Sequence, residues 1–453
     1  MTARPFQQFV ADTLFGGRRR AGEPPLVRGA PLLGSALPFG RDAPAFLADC
    51  RRRHGDIFTL VVAGQRMTFV LDPHSHAAVL KRQGELSFHE LAHEISARAF
   101  GHTRLQGERA TAMERATAAH LKGPALAALT DRAQQRLDAW LRGAQTDPDT
   151  PVALYAFVRR ALFVVGAETL FGEGPWDDAA RVDFERFDHH FPLLVAGVPA
   201  AALGVRGVRA RLAARLRPGA SGASEMCRRR AEALGDASPA EVGRVDLSVL
   251  WAALANTIPA AFWTLAHLAT EPAARARVTR EVRDAAAVAT SPPARPRLQS
   301  AIAEALRLSS ASITLRRALR DTTLTLDDGA TYALRAGDLV CLFPWLMHHD
   351  AEIFPEPERF RDDRFLPDAP PFLKRGRRLA TPLMPYGGGV SLCPGRHIAN
   401  TEIQQFVAAV LTRFDLVAAE PAVPPPERTR AGLGVLPPRG DLRVYLRPAT
   451  ATP

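Results

Sequence analysis

Phe58 to Leu71 alternates apolar and polar side chains closely enough to predict a strand hairpin. From about residue 110 to 285 the apolar residues recur at helical spacing, with Ala, Leu and Arg dominant and Gly and Pro as punctuation. The loop Pro292-Pro293-Ala294-Arg295-Pro296 leads into a short helix over about 297–309. Thr323 to Leu326, the turn Asp327-Asp328-Gly329 and the run Ala330 to Leu334 predict a second hairpin. Phe354 to Pro385 can be neither one strand nor one long helix, because proline recurs at 355, 357, 367, 370, 371, 382 and 385. A last helix runs from near Cys393 to about Phe414, and residues 21–45, rich in Pro and Gly, are read as irregular chain. The sum is a mainly α protein with small β-sheets. A length of 453 residues alone suggests about three domains. No linker divides the pattern, so we expect one domain over 1–453, with residues 1–23 as a flexible N-terminal segment.

Composition narrows this picture. With 47% hydrophobic and 23% charged residues the chain is an ordinary globular protein, not a disordered chain, a collagen or a small disulfide scaffold. No apolar run reaches roughly 18 residues. Phe191 to Val205 comes nearest but contains two prolines. We therefore expect no transmembrane anchor, no signal peptide and a cytoplasmic location. The net charge is +11, yet only three of the 58 basic residues are lysine: Lys81, Lys122 and Lys374. Such a bias fits a GC-rich bacterial coding sequence better than a selected basic surface, and no zinc, helix-turn-helix or RNA-binding motif accompanies it, so no nucleic-acid partner is expected. Cys50, Cys227, Cys341 and Cys393 are widely spaced and form neither a CxxC pair nor a disulfide framework.

One of these cysteines has unusual neighbours. Tyr386 lies seven residues before Cys393, Gly389 four before, and Gly395 two after. Glycines let a backbone turn sharply and approach a flat ligand closely. A helix beginning just after Cys393 would turn its free N–H groups toward the sulfur and favour thiolate. A thiolate so held suits a haem iron that must cleave an O–O bond. Two further constellations stand out. Glu304 and Arg307 share one face of a helix whose flanks, Ala301-Ile302-Ala303 and Leu306, suggest burial of the pair. Pro259 offers no N–H to the carbonyl of Ala255, so the helix should kink across Asn256 and Thr257. An amide, a hydroxyl and a free carbonyl there could hold dioxygen and relay protons.

Tyr386 to Gly395 resembles the haem-binding signature of the cytochrome P-450 superfamily, F-x-x-G-x-x-x-C-x-G, with Tyr386 in place of Phe and Ser391 where most members carry a basic residue. The resemblance implies the cytochrome P-450 fold, haem b as cofactor and Cys393 as iron ligand. It implies a buried triad of Glu304, Arg307 and an arginine from a later Pro-rich element. The register counted from Phe354-Pro355 assigns that third place to Arg364, not to Arg359 of the literal Pro-Glu-Arg-Phe. Asn256 and Thr257 match the acid–threonine position of the superfamily, with Asn in place of the acid. Arg316 matches a propionate-binding arginine. The usual W-x-x-x-R is missing, and His120 and Lys122 lie in its region. Lys374, Arg375, Arg377, Arg378 and Arg396 form either a solvated loop or a face for an acidic electron-transfer partner.

Leu306 to Ala318, Ala255 to Trp263, Phe191 to Pro199 and Ala431 to Pro438 are similar to the cholesterol 7α-hydroxylase group, which includes sterol 12α-hydroxylases and prostacyclin synthase. The expected activity is therefore hydroxylation of a rigid apolar substrate, a steroid or other terpenoid. It would use O2 and electrons from a ferredoxin-type or flavoprotein donor. Expected pocket walls are Phe191 to Pro199, Ser310 to Leu315 and Gly432 to Leu436. Two rivals stay open: a haem-thiolate isomerase of a lipid hydroperoxide or endoperoxide, which needs neither O2 nor reductase, and a non-catalytic haem or lipid binder.

Overall fold

The computed structural model describes residues 19–216, 221–287 and 295–449. Most of the segment expected to be flexible at the N-terminus, and the Pro292-Pro293-Ala294 loop, lie outside the described residues. Helices dominate, and the sheets are small. The first predicted hairpin pairs Ile57–Val62 with Gln65–Val70 through Ala63 and Gly64. Both turn residues have positive φ, 46° and 81°, as a two-residue turn matched to strand twist requires. The second hairpin pairs Thr322–Thr325 with Thr331–Leu334. The first belongs to a five-stranded sheet in which Gln65–Val70 runs parallel to Leu339–Leu342, which continues antiparallel to Thr314–Ala318 and then to Leu86–Ser87. The Pro-rich stretch from 354 to 385 is turns, with one short ribbon of Leu373–Lys374 against Arg377–Arg378.

The centre of the molecule is a long interrupted helix. Its first half, Pro239–Leu254, starts at Ser238, whose side chain accepts the N–H of Glu241, with Pro239 at the first helical position. Its second half, Thr257–Thr270, is almost entirely buried: Ala261, Phe262, Leu265, Ala266 and Leu268 have no exposed surface. Between the halves Ala255 and Asn256 form a turn, where Pro259 withholds its bond from the Ala255 carbonyl. Pro239–Thr270 is also long and apolar enough by composition to cross a membrane, but 67% of its most apolar window is buried within the protein. This differs from the sequence expectation, which found Phe191 to Val205 the most apolar stretch. Thr257–Thr270 packs against the helices Leu154–Phe171, Pro296–Ser309 and Arg396–Arg413. The last of these starts three residues later than the sequence suggested and gives way at Phe414 to a strand paired with Arg443–Pro448.

Candidate haem-thiolate site

Cys393 sits on the loop that precedes the helix Arg396–Arg413. Its N–H donates to the Tyr386 carbonyl at 3.0 Å, closing the loop on itself. Gly389 has φ +66°, and a Cβ there would lie 2.9 Å from the Leu80 carbonyl oxygen, so no larger residue fits without a shift. A Cβ on Gly395 would meet only Ile398 and, at 3.9 Å, the Cys393 sulfur, which leaves that side open to a flat ligand. Cys393 alone among the four cysteines is not fully buried. The amides of Gly395 and Arg396 donate to its sulfur, but burial outweighs them and holds the thiol above its ordinary value. This reverses the direction expected from the helix start alone. Burial pushes Cys50 to about 11 and Cys227 to about 12, and Cys341 well up.

The sulfur faces a cavity of about 440 Å³. Cys393, Pro394 and Gly395 form one wall; Ala252, Ala253, Asn256, Thr257 and Ala260 of the interrupted helix form the opposite one. Small side chains on both faces leave a slot. At its side Arg316 is 2% exposed, with burial lowering its pKa, and its guanidinium reaches only the carbonyls of Gly388 (3.0 Å) and Leu315 (2.7 Å). It has no carboxylate partner among the described residues. A buried cation without an anion is costly, and a haem propionate would supply one. The Tyr386 hydroxyl, buried without a partner among the described residues, also borders this cavity, and burial beside Cys393 pushes it to about 12. These residues fit haem b: Cys393 would hold the iron, Arg316 a propionate, and Tyr386, Gly389 and Gly395 the loop around the ring.

The interrupted helix gives Asn256 a bond that the sequence did not announce. The Asn256 Oδ1 accepts the Val435 N–H at 2.9 Å, so its amide oxygen positions the 432–436 segment. Gly434, at φ +143°, favours glycine, and a Cβ there would lie 1.9 Å from that oxygen unless the Asn256 side chain moved. The Trp263 indole clamps the same segment by donating to the Leu436 carbonyl at 2.7 Å. Thr257 is 3% exposed, and its hydroxyl makes no hydrogen bond to any described residue.

Behind Thr257 lies a residue that sequence reasoning missed. Glu402, on the helix after Cys393, borders the main cavity and, with Thr257 and Gln405, a second cavity of about 10 Å³, near the size of one water. Burial alone raises its carboxyl to about 8, and the surface it retains opens onto these cavities. The Gln405 Oε1 is buried without a partner among the described residues. The signal was an acid close before the apolar run from Phe406 to Leu411.

The Glu304 triad is assembled as the register implied. Arg307 makes two bonds to the Glu304 carboxylate, at 2.7 and 2.9 Å, and Arg364 a third at 2.8 Å. Glu304 and Arg307 are fully buried and Arg364 is 7% exposed. The Arg359 side chain is 63% exposed and pairs with Glu356.

Of the three expected pocket walls, Ser312 to Leu315 and Leu433 to Val435 line the main cavity, and Phe191 to Pro199 does not. Phe191 instead stacks on Trp251 at 3.7 Å, turned into the core. Pro192 and Leu193 line a separate cavity of about 600 Å³ beside Ala255, Ile258 and Pro259, on the other face of the interrupted helix. That cavity is larger, but it lacks Cys393 and is edged by ion pairs such as Arg159–Glu185 at 3.3 Å and Arg430–Asp188 at 2.9 Å. His120 and Lys122 do not reach the main cavity; Thr117 and Leu121 do. Arg317 pairs with Glu94 at 2.8 Å. In the basic loop Lys374 pairs with Asp350 and Glu352, Arg375 with Asp72, and Arg377 with Asp327, so much of its charge is locally neutralised.

Comparison with known proteins agrees with this geometry. The Cytochrome P450 family profile matches residues 24–197 and 226–444. Cytochrome P450 7A1 of Oryctolagus cuniculus is 36% identical over 94% of this chain and 93% of its own length. A 5-beta-cholestane-3-alpha,7-alpha-diol 12-alpha-hydroxylase of Sus scrofa is 33% identical over 95% of this chain and 94% of its own. Among solved structures, the retinoic acid bound cyanobacterial CYP120A1 superposes with a TM-score of 0.73 over 95% of this chain and 100% of its own, at 20% identity. The chain belongs to the cytochrome P450 family and is a haem-dependent monooxygenase.

Proposed function

We propose that this monooxygenase works as a single domain and hydroxylates a sterol or a related rigid terpenoid. The observation that carries the reading is the slot with Cys393 on one wall and Thr257 on the other, continued upward by the apolar side chains of Ile313, Leu315, Leu433 and Val435. Relatives named as a cholesterol monooxygenase and a cholestane-diol hydroxylase, at 35% and 33% identity, support the substrate class. Haem, when bound through Cys393, supplies dioxygen activation. The chain's own residues do the rest. The 310–315 and 432–436 segments hold the substrate, and they are tied to each other by the bonds Ala311 N–H to Gly434 O (2.8 Å) and Gly432 N–H to Ala311 O (2.7 Å). Thr257 offers a hydroxyl at the oxygen-binding face. Glu402, protonated at neutral pH, is the acid that Asn256 cannot be, and it reaches Thr257 across the water-sized cavity. Electrons come from a ferredoxin-type or flavoprotein carrier docking on the Cys393 side, near Arg378 and Arg396.

The test is a binding screen of purified holoenzyme against sterols, terpenoids and fatty acids, read by the Soret shift as iron-bound water leaves. Saturable shifts with C27 or C24 sterols are expected. Shifts with fatty acids and none with sterols would overturn the substrate class. Turnover of a lipid hydroperoxide with no electron donor, and no sterol hydroxylation with one, would overturn the monooxygenation of sterols.

A further inference from the structure

His89-Glu90-Leu91-Ala92-His93 opens the helix His89–Phe100. Histidines four apart on a helix lie on one face, and H-E-x-x-H in that setting is a zinc-binding pattern. A pattern of five residues can arise by chance. Here the structure adds an independent observation: a third ligand from another helix. Glu114, on Gly107–His120, brings its Oε1 to 3.1 Å from the His89 Nδ1 and 3.2 Å from the His93 Nε2. The three ligand atoms all lie within 4.8 Å of one another. Zinc bonds of about 2.0–2.1 Å at tetrahedral angles set neighbouring ligand atoms about 3.3 Å apart. The two separations are therefore close to what a metal would impose, and the histidine rings already meet edge-on at 4.7 Å.

We propose that His89, His93 and Glu114 form a site for a divalent transition metal of the zinc class, with solvent at the remaining position. Two histidines and one glutamate are a known zinc ligand set. Glu114 contributes one negative charge, while Glu94 is engaged by Arg317 and Arg104 and Glu90 faces Arg104 at 3.8 Å. In hydrolytic sites of this pattern the glutamate after the first histidine is the general base. Here that residue, Glu90, lies toward Arg104, so the site assigned is one of binding rather than of hydrolysis.

The placement gives the metal a consequence. The residue before His89 is Phe88, which lines the main cavity and lies under the Arg316 guanidinium at 5.8 Å. The helix carrying Glu114 also carries Thr117, and Leu121 follows it; both line the same cavity. A metal held by both helices would staple two parts of the cavity wall across the 101–106 connection and restrict their separation.

The experiment uses tag-free holoenzyme, treated with chelator and dialysed, then titrated with Zn²⁺ in a calorimeter. One saturable site per chain is expected. His93→Ala, at a half-buried side chain, and Glu114→Gln, at an exposed one, should each weaken it at least about tenfold, since even outer-sphere changes commonly cost about 10–100-fold. Glu90→Gln and His189→Ala should bind as the wild type does. Hydrogen exchange should slow in the 101–106 connection when Zn²⁺ is added to the wild type and stay unchanged in Glu114→Gln. Absence of a saturable site in the wild type, or equal affinity in His93→Ala and Glu114→Gln, overturns the site. Zinc binding without added protection at 101–106 overturns the staple.

Discussion

Removing Arg364 should cost far more than removing Arg359, although the two lie five residues apart and only Arg359 sits in a literal Pro-Glu-Arg-Phe. Arg364→Ala deletes a 2.8 Å bond to the Glu304 Oε1 and the donors to the carbonyls of Glu356 (2.8 Å) and Arg359 (3.3 Å). Glu304 would keep Arg307 and the Arg361 N–H at 3.2 Å. Breaking a buried pair by removing one partner typically costs about 3–5 kcal/mol, out of a total stability of about 5–15 kcal/mol. Arg359 and Glu356 form an exposed i,i+3 pair, with side chains 63% and 58% exposed, and such a pair contributes about 0.5 kcal/mol or less. Glu304→Ala should exceed both, because two buried guanidinium groups would then face each other with no carboxylate between them. Urea unfolding followed by circular dichroism, with haem content measured in parallel, gives the ranking. Arg359→Ala proving as damaging as Arg364→Ala would refute the reasoning, and so would an Arg364→Ala protein of wild-type stability and haem content.

Cys393→Ala should abolish the long-wavelength Soret band of the reduced carbon monoxide complex, while Cys50→Ala, Cys227→Ala and Cys341→Ala retain it; loss with any of these three would place the ligand elsewhere. Thr257→Ala and Glu402→Gln should each keep normal haem content and substrate binding but release peroxide in place of product, by about 10²-fold or more in coupling if proton delivery is their role. The double variant should be no worse than the poorer single one, and additive losses would separate the two residues. Because burial raises the Glu402 carboxyl from 4.5 to about 8, its contribution to stability is complete below pH 4.5 and is lost as pH rises through about 8. Glu402→Gln should remove that decline in thermal unfolding, and an unchanged pH profile would contradict it. Gly434→Ala should destabilise the protein by about 1–3 kcal/mol through strain and contact with Asn256. Adding Asn256→Ala should recover part of the loss, and simple addition of the two effects would show that the contact is not the cause.

Much of this could be read from the chain because the informative residues are local. Gly389, Cys393 and Gly395 lie within seven residues, Glu304 and Arg307 within one helical turn, and Pro259 dictates where its own helix breaks. The hairpins were legible for the same reason, each being strand, turn and strand in succession. What was missed depends on contacts distant in sequence. The bond that the Asn256 oxygen accepts joins it to Val435, 179 residues away, and nothing local to Asn256 announces it. Phe191 to Pro199 is apolar enough for a substrate wall, but which way a helix turns its apolar face depends on partners such as Trp251 that periodicity does not name. At Cys393 the helix start is visible in sequence, and the burial that opposes it is not. Glu402 was passed over because a lone acid on a helix is ordinarily solvated.

The bonds that join Ser309 through Ile313 to residues 432–436, and those in turn to Asn256 and Trp263, make these cavity walls and the break in the central helix a single mechanical body. A wider or narrower guest that pushes the 432–436 segment pulls on the residue next to Thr257. Substrate preference and the accuracy of proton timing are then not separable traits. Exchanging that segment alone for one of another shape should alter what is hydroxylated and, in the same step, how much reducing power leaks away as peroxide. New specificities should arise cleanly only when the loop and the Asn256–Gly434 contact change together.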